Sequence, residues 1–177
     1  QDMGLPVVVS MGAVAASGGY YIAAEADEIW ATPSTITGSI GVFAAFPTFE
    51  ELLQRVGIFT DGVGTTSLAG SLRADRALNP ELVQALNSSV EFAYSEFLQV
   101  VAQGRDLSIV QVDPLAEGRV WSAQDALQSG LVDHLGSLPL LSRKNPRAPV
   151  FLSYPSSILA RRMLSNSLAV MNRQRSE

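Results

Sequence analysis

The sequence predicts an α/β domain built on a mostly parallel sheet, and three observations predict it. Short apolar, β-branched runs of strand length recur along the chain, and segments with helical periodicity separate them. The third is bulk: 177 residues, 47% hydrophobic and 7% aromatic, are enough for one real core.

The elements follow in order. Leu5 to Ser10 (L-P-V-V-V-S) reads as a strand covered on both faces, because its apolar residues do not alternate with polar ones. Gly19 to Ala26 reads as a buried helix, and Glu28 to Thr32 (E-I-W-A-T) as a strand stopped by Pro33. Thr37 to Phe46 is glycine-punctuated and then apolar. Pro47 suits a first helical position, with Phe49, Leu52, Leu53 and Val56 at helical spacing before Gly57. Ile58 to Val63 predicts a strand, and Gly64 to Ala77 a polar loop. The longest helix is expected from Pro80 to Gly104, with Asn79 as N-cap and Leu82, Leu86, Val90, Phe92, Ala93, Phe97 and Val101 along one face. Ser122 caps a short helix closed by Gly130, ahead of the strand L-V-D-H-L.

The net charge of −5 conceals an asymmetry. Residues 1–137 hold 16 acids and 5 bases, a balance of −11, whereas residues 138–177 hold 7 bases and 1 acid, a balance of +6. An acidic body without interleaved aromatic and basic residues argues against nucleic acid. There is no cysteine, which excludes disulfides and thiolate chemistry and leaves the compartment open. No apolar run reaches the roughly 18 residues of a membrane span. A first residue Gln1 a few positions before a buried strand suggests a processed or excised piece.

The stretch that carries chemistry is M-G-A-V-A-A-S-G-G-Y-Y, Met11 to Tyr21. It sets Ser17 among small residues where a strand gives way to a helix. Gly18 and Gly19 let the backbone turn sharply and a substrate carbonyl come close to the amides. The first N–H groups of a helix are unpaired, so the Gly18 N–H is a natural half of an oxyanion hole. A tight crossing that needs small residues only for packing is the plainer reading. The pattern is not the G-x-S-x-G elbow, because Ala15 stands at the first glycine position.

The run V-V-V-S-M-G-x-x-A-A-S-G-G-Y-Y-I-A and the following A-D-E-I-W-A-T-P-S-T-I-T-G-S-I-G-V-F resemble the signal peptide peptidase A (protease IV) family. The likeness continues through F-T-D-G-V-G-T-T-S, R-A-L-N-P-E and G-R-V-W-S-A-Q-D-A-L-Q-S-G-L-V-D-H-L-G, covering roughly residues 5 to 137 in order. The resemblance implies the Clp/crotonase-like spiral of β–β–α units and membrane-bound serine endopeptidases of the bacterial inner membrane, acting at its periplasmic face. The implied substrates are cleaved signal peptides and other apolar segments. It implies Ser17 as nucleophile, no cofactor and no metal.

The family's base is a lysine, usable only if burial lowers its pKa. Here the one lysine, Lys144, lies in the polar linker R-K-N-P-R-A-P. The segment Thr65 to Arg76, where shorter members place the lysine, has none, and Arg73 and Arg76 stay protonated. The chain therefore resembles the carboxy-terminal half of tandem-domain members, whose amino-terminal half supplies the base. Ser39, in T-G-S-I-G, is a candidate to orient that incoming amine; a plain Ser/Gly turn is the alternative. His134 is the one histidine, and Asp133 beside it points to the opposite face of a strand.

The expected organisation is a Ser-bearing peptidase domain over residues 1–138 and, over 139–177, a basic linker, a strand V-F-L-S-Y and an amphipathic helical tail around Ile158, Leu159, Met163, Leu164, Leu168 and Met171. That tail docks on protein or lies on an anionic membrane. Phe43, Phe46, Leu68 and Leu72 are candidates to line an apolar substrate groove, and a strand edge near Gly41–Val42 to pair with an extended peptide. The resemblance also implies a homo-oligomer, with membrane association through the absent half. Two rivals stand beside this reading: a crotonase-like acyl-CoA enzyme, which would bind coenzyme A, and a non-catalytic assembly module.

Overall fold

The computed structural model describes residues 6–136 and the backbone of Val150–Tyr154 and Ser157–Arg161. The described residues fall into two compact units, one made of those before and after residues 42–95 and the other within that stretch.

The first unit is a spiral. Strand β1 (Val8–Met11) leads to β2 (Val14–Ala16) and helix α1 (Gly18–Ala23); β3 (Glu28–Ala31) then leads to β4 (Ile36–Gly38). β1 and β3 pair in parallel with Val9 opposite Ile29, and β2 and β4 pair in parallel with Ala15 opposite Thr37. Each circuit of the chain thus adds one strand to each of two sheets, the arrangement the resemblance implies. All four residues of β1 are buried, as its unbroken apolar run requires.

Later elements extend both sheets. β5 (Val120–Ser122) runs antiparallel to β4, and β6 (His134–Leu135) parallel to β3. β7 (Val150–Tyr154) lies parallel to β1 on its other side, and β8 (Ser157–Arg161) runs antiparallel to β7. The strand orders are β6-β3-β1-β7-β8 and β2-β4-β5. The expected tail strand is therefore part of the main sheet. The expected helix does not begin at Ser157–Arg161, which is a strand: β7 has an open edge, and a following segment that pairs with it satisfies backbone groups on both. Residues 162–177, the rest of the expected tail helix, lie outside the described residues.

The core of this unit holds Val8, Tyr20, Ile29, Ile40, Val101, Val112, Leu131 and Val132, all fully buried. Helix α3 (Pro80–Gly104) has the expected bounds, with Asn79 Oδ1 accepting from the Glu81 N–H at 2.8 Å. Its buried face is narrower than the sequence predicts: Phe97, Leu98, Val101 and Ala102 are buried, while Phe92 is exposed. Gly104, the last residue of the helix, also permits a close backbone approach, since a Cβ there would lie 2.2 Å from the Ala24 carbonyl oxygen. Two short segments follow, α4 (Ile109–Val112) and, after β5, α5 (Ala123–Gln128).

The unit of residues 42–95 contains α2 (Glu50–Arg55) and the first turns of α3. Helix α2 begins three residues after Pro47, so that proline is not its first residue. No strand forms at Ile58–Val63. Its side chains stay exposed, Phe59 at 78%, because an apolar run becomes a strand only where a ladder partner exists. Side chain-to-backbone bonds order this unit instead, Thr60 to the Asp75 carbonyl and Asn79 to the Ser67 carbonyl.

Candidate active site

β2 and β4 end side by side. Their last paired residues are Ala16 and Gly38, so Ser17 and Ser39 are the next residue on each of two adjacent parallel strands. The Ser17 N–H donates to the Gly38 carbonyl at 2.8 Å, and the Ser39 N–H to the Arg119 carbonyl at 2.7 Å. The Thr37 hydroxyl, fully buried, donates to the Ala15 carbonyl at 2.8 Å and ties the two strands together just below the serines.

Both serines have left-handed backbones, Ser17 with φ 52° and ψ −120° and Ser39 with φ 50°. Such conformations cost a non-glycine residue about 1–3 kcal/mol and persist only where the surroundings impose them. Ser17 is also the N-cap of α1, yet its hydroxyl makes no capping bond. That is unusual, because a serine at this position normally spends its oxygen on a first-turn N–H. Ser122 does so in the same unit, accepting from the Asp125 N–H. Ser17 is instead exposed, with its hydroxyl uncommitted among the described residues. Its own N–H is used on Gly38, so the first free amide beside the hydroxyl is that of Gly18. A Cβ at Gly18 would meet nothing within 4 Å, so no packing contact demands a glycine at this position.

The second strand end is closed from behind. Gly38 has φ 75°, and a Cβ there would lie 2.5 Å from Cδ1 of Trp121. That ring is fixed by its Nε1–H, which donates to the Leu115 carbonyl at 2.8 Å. Three residues on, a Cβ at Gly41 would come within 2.9 Å of Gly118, whose N–H donates to the Ile40 carbonyl. The glycines of T-G-S-I-G thus serve close backbone approach. They do not leave the free strand edge expected near Gly41–Val42, since no strand forms there.

Helix α1 is held from the far side. Tyr20 is fully buried, and its hydroxyl donates to the Leu131 carbonyl at 2.9 Å. Burial is the main cause pushing the Tyr20 phenol far above its ordinary pKa, so it remains a donor. The turn it grips is fixed in turn by Arg105, whose Nε–H donates to the Gly130 carbonyl at 3.0 Å and whose Nη2 pairs with Asp133 Oδ1. Asp133 Oδ2 accepts from the Ile29 N–H at 2.7 Å. The sequence shows Tyr20 only as one apolar position of a helix; its partner is 111 residues away and leaves no local signal.

The profile of peptidase family S49 matches residues 1–144. The chain belongs to peptidase family S49. Its curated relatives include Protease 4 of Haemophilus influenzae, 50% identical over 137 residues, which are 77% of this chain and 22% of that protein. Protease 4 of Salmonella typhi is 47% identical over 133 residues, 75% of this chain and 21% of that protein. The chloroplastic serine protease SPPA of Arabidopsis thaliana is 39% identical over 134 residues, 75% of this chain and 20% of that protein. The chain spans about a fifth of the length of these three relatives.

In this S49 chain the residues singled out from the sequence separate into two groups. Ser17, Gly18 and Ser39 come together at the paired ends of β2 and β4. Asp133 and His134 do not act as a pair. Asp133 is bound to Arg105 and Ile29, whereas the His134 ring lies 4.5 Å from Trp30 and 4.0 Å from the Glu28 carboxylate. Lys144 lies outside the described residues. Phe43, Phe46, Leu68 and Leu72 are exposed, so none is core. Among the described residues no three His, Asp or Glu side chains are placed to share a metal ion, and no helix is long and apolar enough to cross a membrane.

Proposed function

We propose that this chain is the serine-bearing portion of a signal-peptide-peptidase-type endopeptidase, with Ser17 as nucleophile. The observation that carries this is the Ser17 corner, an exposed, strained N-cap serine whose hydroxyl is withheld from capping, directly before the Gly18 amide at the helix start. A hydroxyl at such a corner reacts once a base takes its proton and a donor receives the negative charge on the carbonyl oxygen.

In the proposed sequence the Ser17 Oγ attacks the peptide carbonyl while its proton passes to a neutral lysine amine. The Gly18 N–H donates to the resulting oxyanion. Collapse breaks the C–N bond, the lysine returns the proton to the departing amine, and water then hydrolyses the serine ester. The lysine comes from an amino-terminal segment of a longer protein. The lack of any lysine at Thr65 to Arg76 and the short share of the relatives that this chain spans both support that. Ser39, one step past Gly38 on the adjacent strand, holds that amine by a hydrogen bond without charging it. This chain alone is inactive.

The substrates are apolar peptides such as released signal peptides, and the enzyme works at the periplasmic face of a bacterial inner membrane, anchored through the other half. Exposed Phe43 (89%), Phe59 and Val63 support an apolar partner, either substrate or a second copy in a homo-oligomer. The test is hydrolysis of a fluorogenic apolar peptide by the longer protein. Ser17→Ala abolishes turnover, and Ser39→Ala lowers it by about a hundredfold, the lower end of what one positioned proton-transfer partner contributes. Full turnover by Ser17→Ala overturns the proposal.

A further inference from the structure

We infer that Tyr20 is a positioning residue for the nucleophile, clamping α1 so that Ser17 and the Gly18 amide keep their strained geometry; this rests on the proposed role of Ser17. A residue at φ 52° and ψ −120° returns to a commoner conformation unless both of its flanks are fixed. The upstream flank is fixed by the strands: the Ser17 N–H is bonded to Gly38, and Thr37 ties β4 to β2 beneath it. The downstream flank is a helix of six residues, too short to hold itself by its own hydrogen bonds.

That helix has one polar anchor to a distant part of the fold among the described residues, the Tyr20 hydroxyl on the Leu131 carbonyl. Tyr20 lies three residues after Ser17, one helical turn, and the Tyr21 N–H returns to the Ser17 carbonyl at 2.9 Å. A displacement of Tyr20 along the helix axis is thus passed directly to the corner. The anchor point itself is rigid, because Arg105, with only 6% of its side chain exposed, ties Gly130 and Asp133 on either side of Leu131. The tyrosine ring packs in the core and its hydroxyl sets the register, so the two contributions can be separated.

Tyr20→Phe keeps the ring and deletes the anchor. In the longer protein it should lower kcat about tenfold with KM within twofold of wild type, because sub-ångström misplacement of a reacting group costs rate and not binding. A serine-directed fluorophosphonate should label Ser17 more slowly by the same factor. Tyr21→Phe, on the neighbouring exposed ring, should leave both unchanged. Circular dichroism must show Tyr20→Phe folded. If it is not, Arg105→Lys, which keeps the charge opposite Asp133 but cannot grip Gly130 and Asp133 together, is the second variant and should shift kcat in the same direction. A folded variant with wild-type kcat and labelling rate overturns the positioning role while leaving Ser17 as nucleophile. If wild type itself is not labelled at Ser17, the proposed function fails instead.

Discussion

Replacing Ser17 by glycine should make the protein more stable, although it removes the proposed nucleophile. At φ 52° and ψ −120° a residue with a Cβ carries about 1–3 kcal/mol of strain, which glycine does not. Glycine gives back part of this, about 0.5–1 kcal/mol, through the greater freedom of its unfolded chain. The net expectation is about 0.5–2 kcal/mol of stabilisation, or a rise of a few degrees in Tm for a domain of this size. Ser17→Ala is the matched control. It retains the Cβ and therefore the strain, and it loses no cap because the Ser17 hydroxyl makes none. It should melt with wild type, whereas alanine at an ordinary serine N-cap costs about 1 kcal/mol. Differential scanning calorimetry of the three proteins side by side is the assay. A Ser17→Gly protein that melts at or below Ser17→Ala would show that the corner stores no strain, and the reasoning about it would fall.

Gly38→Ala should destabilise by about 2–4 kcal/mol, the sum of a left-handed alanine and an overpacked core, since its Cβ would sit 2.5 Å from the tethered Trp121 ring; a wild-type urea midpoint would refute that packing. Arg105→Ala should cost about 3–5 kcal/mol in urea unfolding, because it strands the Asp133 carboxylate in a partly buried site; a loss under 1 kcal/mol would show that the turn needs no such tie. Arg73 beside Asp75 holds that carboxyl at about 2, first through their hydrogen bond, so the pair favours the fold above the ordinary carboxylate pKa and releases it as pH falls through about 2. A carbon-detected NMR titration should place the Asp75 midpoint there, and Arg73→Ala should return it towards 3.8, its ordinary value.

Much of the architecture was legible because it is written in local patterns. Helix α3 has the bounds that its Asn79 cap and Gly104 stop predict, and β1 and β3 follow from apolar runs of strand length. The site was legible where it depends on small residues, since Ser17, Gly18 and the glycines flanking Ser39 mark sharp turns and close approach. Partnership was not legible. Ile58–Val63 has the composition of a strand but no ladder, and Ser157–Arg161 has an amphipathic pattern but meets the open edge of β7. The Tyr20–Leu131 and Arg105–Asp133 bonds join residues far apart in sequence, and nothing local in either partner announces the other.

The most direct test of the proposed borrowed base is intact-mass analysis after exposure to a fluorophosphonate, comparing this chain alone with a longer protein proposed to supply the lysine. The account predicts one adduct, mapped to Ser17, in the longer protein, and its loss when that lysine is replaced by alanine. Equal labelling of Ser17 in the isolated chain, or unchanged labelling after the lysine is removed, would contradict it.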